Sequence, residues 1–113
     1  MKKYVKNIID LKEQKTITYS LENKKEEYKL IITFDHKPNI VGPRSEYNGL
    51  PIWIGKTIAT AKFDGKTIKK EAFCWLNEPF QYEQARVVCA GRILKAAKLP
   101  TALSEQVKDK PLH

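Results

Sequence analysis

The chain has 113 residues, 42% of them hydrophobic, enough for one small core and too few for a second. Its 21 Lys+Arg against 13 Asp+Glu leave a formal charge of +8, which favours phosphates, nucleic acid or an acidic protein surface as partner. No apolar run nears the ~20 residues that span a bilayer, and the N-terminus has neither the h-region nor the cleavage site of a signal peptide, so no membrane partner and a cytoplasmic location are expected.

In chain order, Val5, Ile8, Ile9 and Lys12 fall at i, i+3, i+4 and i+7, which suits a short helix over residues 1–12, although Tyr4 would also open a strand. Thr16 to Leu21 alternates and is β-branched, Glu22 to Lys25 is a charged break, and Tyr28 to Phe34 alternates again. Together they predict an antiparallel hairpin. Asp35 to Gly49 holds Pro38, Gly42, Pro43 and Asn48-Gly49, the composition of a long irregular connection.

Leu50 to Ile54 predicts a short strand. Lys56 to Phe63 then pairs with Lys66 to Leu76 through Asp64-Gly65, since a type I′ turn needs positive φ at both central residues. On the second strand of this hairpin, Ile68, Lys70, Ala72, Cys74 and Leu76 share one face, and Thr67, Lys69, Glu71, Phe73, Trp75 and Asn77 share the other.

A helix follows Pro79, with Glu83 in its first turn and Lys95 and Lys98 in its last, and ends near Leu99-Pro100. Ala85, Val88, Cys89, Ile93, Ala96 and Ala97 form a face toward the sheet, while Val87, Ala90, Gly91 and Leu94 imply burial on more than one side. Gly91 costs ~1 kcal/mol against alanine inside a helix; close approach of a neighbouring strand, or of a second subunit, would account for it. A second helix is expected from Thr101 to about Lys108, capped by Thr101 or Ser104. The fold class is therefore α+β: about five antiparallel strands followed by two C-terminal helices, the first packed on the sheet. It forms a single domain over 1–113, β-rich over 1–77 and helical over 79–108, with a frayed tail at 109–113.

Reaction chemistry is hard to find. His36, placed in the long connection, and His113 have no partner at a spacing that suggests a nucleophile relay or a metal site. Glu27-Tyr28-Lys29, with Asp10 or Asp35, is only a fragment of a nuclease pattern, and Gly-rich phosphate loops are absent. Cys74 and Cys89 lack CxxC spacing and are expected as reduced, buried thiols. No catalytic residue, metal or cofactor is expected, and the chain reads as a binder.

Binding has better material. Phe73, Trp75 and Asn77 share one strand face, Phe80 follows, and Arg86 and Arg92 lie on the next helix. Rings stack on a base, an amide reads its edge and guanidinium holds phosphate; the plainer alternative is that the rings are core. Arg86 and Arg92, six residues apart, point in different directions from one helix, which suits a site completed by a second subunit. Arg44 and Tyr47, in the loop from Pro43 to Gly49, would supply a lid.

The order of elements, with Cys74, Glu78-Pro79-Phe80 and the run Ala85-Arg86 to Ala90-Gly91-Arg92-Ile93-Leu94, resembles the Thoeris anti-defence type one proteins, the anti-Thoeris sponges of bacteriophages. The resemblance spans roughly residues 50 to 100. It implies a homo-oligomer, dimer or higher, with pockets at subunit interfaces. These would sequester a cyclic ADP-ribose-type or cyclic oligonucleotide immune signal, uncleaved, in the cytoplasm of an infected bacterium. It further implies that Arg86 and Arg92 hold diphosphate and that Trp75, Asn77 and Phe80 belong to the same pocket. Two alternatives remain open: a basic module for single-stranded nucleic acid, using Lys66, Lys69 and Lys70, and a phage inhibitor docked on a host protein.

Overall fold

A computed structural model of the chain describes residues 11–22, 25–75 and 78–108. Four strands, β1 (Leu11–Ser20), β2 (Glu27–Val41), β3 (Trp53–Phe63) and β4 (Lys66–Trp75), precede helix α1 (Tyr82–Ala96) and a 3₁₀ helix (Thr101–Val107). The strands form one antiparallel sheet in the order β1-β2-β3-β4, so every connection joins spatial neighbours. The α+β class is as expected, with four strands among the described residues in place of about five.

The difference lies in β3. Trp53 and Ile54, read from sequence as the end of a separate strand, are continuous with the run to Phe63 through an irregularity between Trp53 and Lys56. Gly55 carries it with φ +95, and a Cβ there would stand 2.6 Å from the Phe80 ring. Only glycine meets both demands. At the other end of β3, Asp64 (φ 56) and Gly65 (φ 77) make the expected turn with both central residues at positive φ.

A second correction concerns β2. The irregular connection expected from Asp35 is strand as far as Val41. A register shift between Lys37 and Val41 absorbs Pro38, which has no N–H for the ladder. Only residues 42–52 remain as loop, tied by Ser45 N–H to Leu50 O at 2.8 Å and Ile52 N–H to Pro43 O at 2.9 Å. The N-terminal helix expected over 1–12 lies outside the described residues except for Leu11 and Lys12, which are strand and pair with His36 and Asp35.

Strand alternation points Ile17, Leu30, Ile32, Phe34, Ala59 and Ala61 to one face, where Cys89, Ala90, Ile93 and Leu94 of α1 and Val107 of the 3₁₀ helix close on them. The alanines of β3 remove bulk beneath α1, which lets helix and sheet interlock. The α1 helix starts at Tyr82 and stops at Ala96, two to three residues inside the expected bounds at each end. Lys98, at φ 62, stands where glycine is usual, with Leu99 N–H on Leu94 O (2.9 Å) and Lys98 N–H on Lys95 O (3.1 Å). That is a Schellman ending, and Leu99 then packs against the core. The 3₁₀ helix has Pro100 at its cap position and no side-chain cap, so neither Thr101 nor Ser104 caps it. Gly91 meets nothing within 4 Å of where its Cβ would stand, which removes the expected approach of a neighbouring strand.

Among the described residues no helix lies over the opposite face of the sheet. Among the described residues no helix is long and apolar enough to cross a membrane. The molecule is elongated, 59 × 37 × 26 Å, because β2 and β3 run on beyond β1 into the 42–52 loop.

Candidate functional site

Where β4 ends and the chain turns through Glu78, Pro79 and Phe80 into α1, a cleft of about 280 Å³ opens. Phe73, Trp75 and Phe80 line it, as do Gln81, Gln84, Ala85, Val88 and Arg92. From Gln81 onward these last five stand at i, i+3, i+4, i+7 and i+11, one stripe of a 3.6-residue helix. The stripe was present in the sequence; the two glutamines on it were not singled out.

Phe80 is held by its neighbours. Its ring packs on Gly55 and makes edge contacts with Tyr82 (centroids 4.9 Å) and His36 (6.1 Å). Phe73 and Trp75 are 43% and 56% exposed, too open for core residues. Trp53 adds a third ring, 4.6 Å from Phe73 and tilted 43°, and itself lies over Gly42, where a Cβ would fall 2.4 Å from the indole. Arg92 donates from Nη1 to the Glu71 carbonyl at 2.5 Å, fixing the guanidinium at the outer edge of β4. It is the cation among the cleft's lining residues, and Glu78 is the carboxylate there. The Cys74 thiol donates toward Glu78 O (3.3 Å) and Pro79 O (3.5 Å). Burial, then the Glu78 charge, raises its pKa, so it stays a thiol.

Arg86 is elsewhere. The structure turns it inward, 3% exposed, with Nη1 on Glu13 Oε2 at 2.8 Å and Nε on Val107 O at 3.0 Å. As a ligand-binding residue it is not brought to the cleft; it joins α1 to β1 and to the 3₁₀ helix. Arg44 and Tyr47 are not brought there either. Arg44 donates to Gly49 O within its own loop, and Tyr47 is 99% exposed at the loop tip. Asn77 lies outside the described residues.

The expectation that His36 sits in a loop without a partner is also corrected. It is fully buried on β2, with Nε2 2.8 Å from Glu13 Oε2 and Nδ1 2.7 Å from Thr57 Oγ1. A carboxylate only accepts, so the neutral ring donates from Nε2 to Glu13 and accepts the Thr57 hydroxyl proton at Nδ1. Burial first, with the Arg86 charge behind it, holds the His36 pKa down against the pull of Glu13. For Glu13, burial would raise the pKa, but the hydrogen bonds and charges of Arg86 and His36 together bring it below 4.5. Hydroxyl, imidazole and carboxylate are connected as in a nucleophile relay, yet neither Thr57 nor His36 has any exposed surface, so the row acts as a clamp between strands. Cys89, deep in the core, has its thiol pushed up to about 12 by burial; both cysteines are free.

Comparison with protein-family models, curated proteins and solved structures finds no match.

Proposed function

We propose that the chain is a non-catalytic binder that holds a small nucleotide in the cleft at the β4–α1 corner. The observation that carries this reading is the meeting of Phe80 and Arg92 at one cleft whose β4 rim is formed by Phe73 and Trp75, aromatic surface to stack on a base and a guanidinium for its phosphate. Gln81 and Gln84 add amides able to hydrogen-bond a base edge or a ribose.

Cyclic ADP-ribose-type signals and cyclic oligonucleotides are the first nucleotides to try, on the strength of the resemblance to the anti-Thoeris sponges. With Arg86 engaged by Glu13, a diphosphate would need a second cation beyond Arg92, and a second copy of the chain could provide it. Native mass spectrometry with a panel of cyclic ADP-ribose isomers and cyclic di- and trinucleotides, with ligand recovered after denaturation, tests this. The expected result is uptake of one member and its return intact. Arg92→Ala should weaken binding by ~1.5–3 kcal/mol, the range for a hydrogen bond to a charged group. No uptake from the panel, or unchanged affinity in a folded Arg92→Ala variant, would count against the proposal.

A further inference from the structure

The face of the sheet that no described element covers has a chemistry of its own. Strand register places Thr67 across from Lys62, Lys69 across from Thr60, Phe73 across from Lys56 and Trp75 across from Trp53, all on the side away from α1, with Phe73 and Trp75 at the edge strand also forming the rim of the cleft. At one end, a shallow trough of about 440 Å³ is lined by Lys29, Ile31, Thr33, Thr60, Lys62 and Thr67. At the other end stand the rings of Trp53, Phe73 and Trp75. Eight residue steps along β4 lead from Thr67 to Trp75, a run of about 26 Å at strand rise.

Charge on this face is unbalanced. Asp35 and Glu71 are engaged by Lys37 (3.5 Å) and Lys56 (3.8 Å) and Glu27 stands at the start of β2, whereas Lys29, Lys62 and Lys69 are exposed and have no carboxylate partner among the described residues. The surface thus offers cations and hydroxyls at one end and exposed rings at the other, with apolar Ile58 between. A polyanion satisfies the first half and stackable bases the second, and a duplex keeps its bases out of reach of the rings.

We infer that this open face binds single-stranded nucleic acid, with phosphates on Lys29, Lys62 and Lys69 and bases stacked on Phe73, Trp75 and Trp53. None of the three lysines lines the cleft, so this surface and the nucleotide cleft can be separated by mutation.

Fluorescence anisotropy with labelled oligo-dT, oligo-U and a duplex of equal length tests it on the full chain. Both single strands should bind more tightly than the duplex, and their relative affinities distinguish DNA from RNA as the preferred strand. Three phosphate contacts at about 0.7 each in the log–log salt slope predict roughly twentyfold weaker binding between 50 and 200 mM salt. The exposed triple variant Lys29→Ala/Lys62→Ala/Lys69→Ala should abolish most of that salt dependence while leaving mononucleotide uptake unchanged. Phe73→Ala should cost roughly tenfold in oligonucleotide affinity. No binding of either single strand at 50 mM salt, a duplex bound as tightly, or a triple lysine variant with the parent's salt slope would overturn the inference.

Discussion

Arg86 decides more than any other residue how this molecule is read. Its sequence position, on a helix beside a ring-lined turn, is equally suited to ligand and to core. What settles its place is Glu13, 73 residues away in the chain, and no local pattern carries that information. The Arg86–Glu13–His36–Thr57 row joins α1, β1, β2 and β3, and Arg86 also reaches the 3₁₀ helix at Val107 O. Removing the guanidinium strands a carboxylate that is 23% exposed and a carbonyl with no replacement donor. Arg86→Ala should therefore destabilise the fold by about 3 kcal/mol, the low end for breaking a buried pair because Glu13 retains some solvent. Arg86→Lys should recover only part of this, since an ammonium does not reproduce the fork that reaches Glu13 and Val107 together. Urea denaturation of both variants checks it; parent-like stability in Arg86→Ala would return the residue to the list of ligand contacts. Arg92, Phe73, Trp75 and Phe80 were legible because they are close in sequence and one strand end and one helix stripe bring them together.

Edges dominate at the scale of elements. Both outer strands of the sheet are met by a side chain that stands in for a missing neighbour. On β4 it is Arg92 at Glu71 O; on β1 it is Gln106, whose Oε1 accepts from Thr18 N–H at 2.9 Å and whose Nε2 donates to Thr18 O at 2.8 Å. One carboxamide thereby imitates a residue of an adjoining strand and blunts an edge open to self-pairing. Gln106→Ala should cost about 1–2 kcal/mol for two hydrogen bonds and should shift the protein toward self-association on light scattering after gel filtration. A variant both as stable and as monodisperse as the parent would show that the edge needs no guard. Turn chemistry is where the elements were most readable: Asp64-Gly65 specified its hairpin through the φ values it alone permits cheaply. Pro38 and Gly42 misled, because a bulge lets a strand pass a proline and the close seat of Trp53 on Gly42 gives that glycine a packing role. Gly91 misled differently, since its side of α1 faces open space among the described residues.

At the scale of the whole molecule, a small core and a formal charge of +8 meet in the response to acid. Burial lowers the His36 pKa from its ordinary value of 6.5, so below pH 6.5 the unfolded chain takes up a proton that the folded chain resists. Stability must then fall as pH drops through that window and on toward the folded value. Glu13, held below 4.5 chiefly because Arg86 and His36 outweigh its burial, contributes stability above pH 4.5 that is lost as pH falls further. The two losses have the same sign and come in that order. Protonation also raises the positive charge, and self-repulsion adds to the decline. Salt separates the contributions, because it screens exposed charge and hardly reaches a buried row. The urea midpoint, followed from pH 8 to 4 at low and high salt, should decline in both conditions, less steeply in high salt. His36→Gln, which keeps a donor and an acceptor but does not titrate, should flatten the segment just below pH 6.5 and leave the later one. A His36→Gln profile that tracks the parent's across that segment would place the acid sensitivity in the surface charge alone.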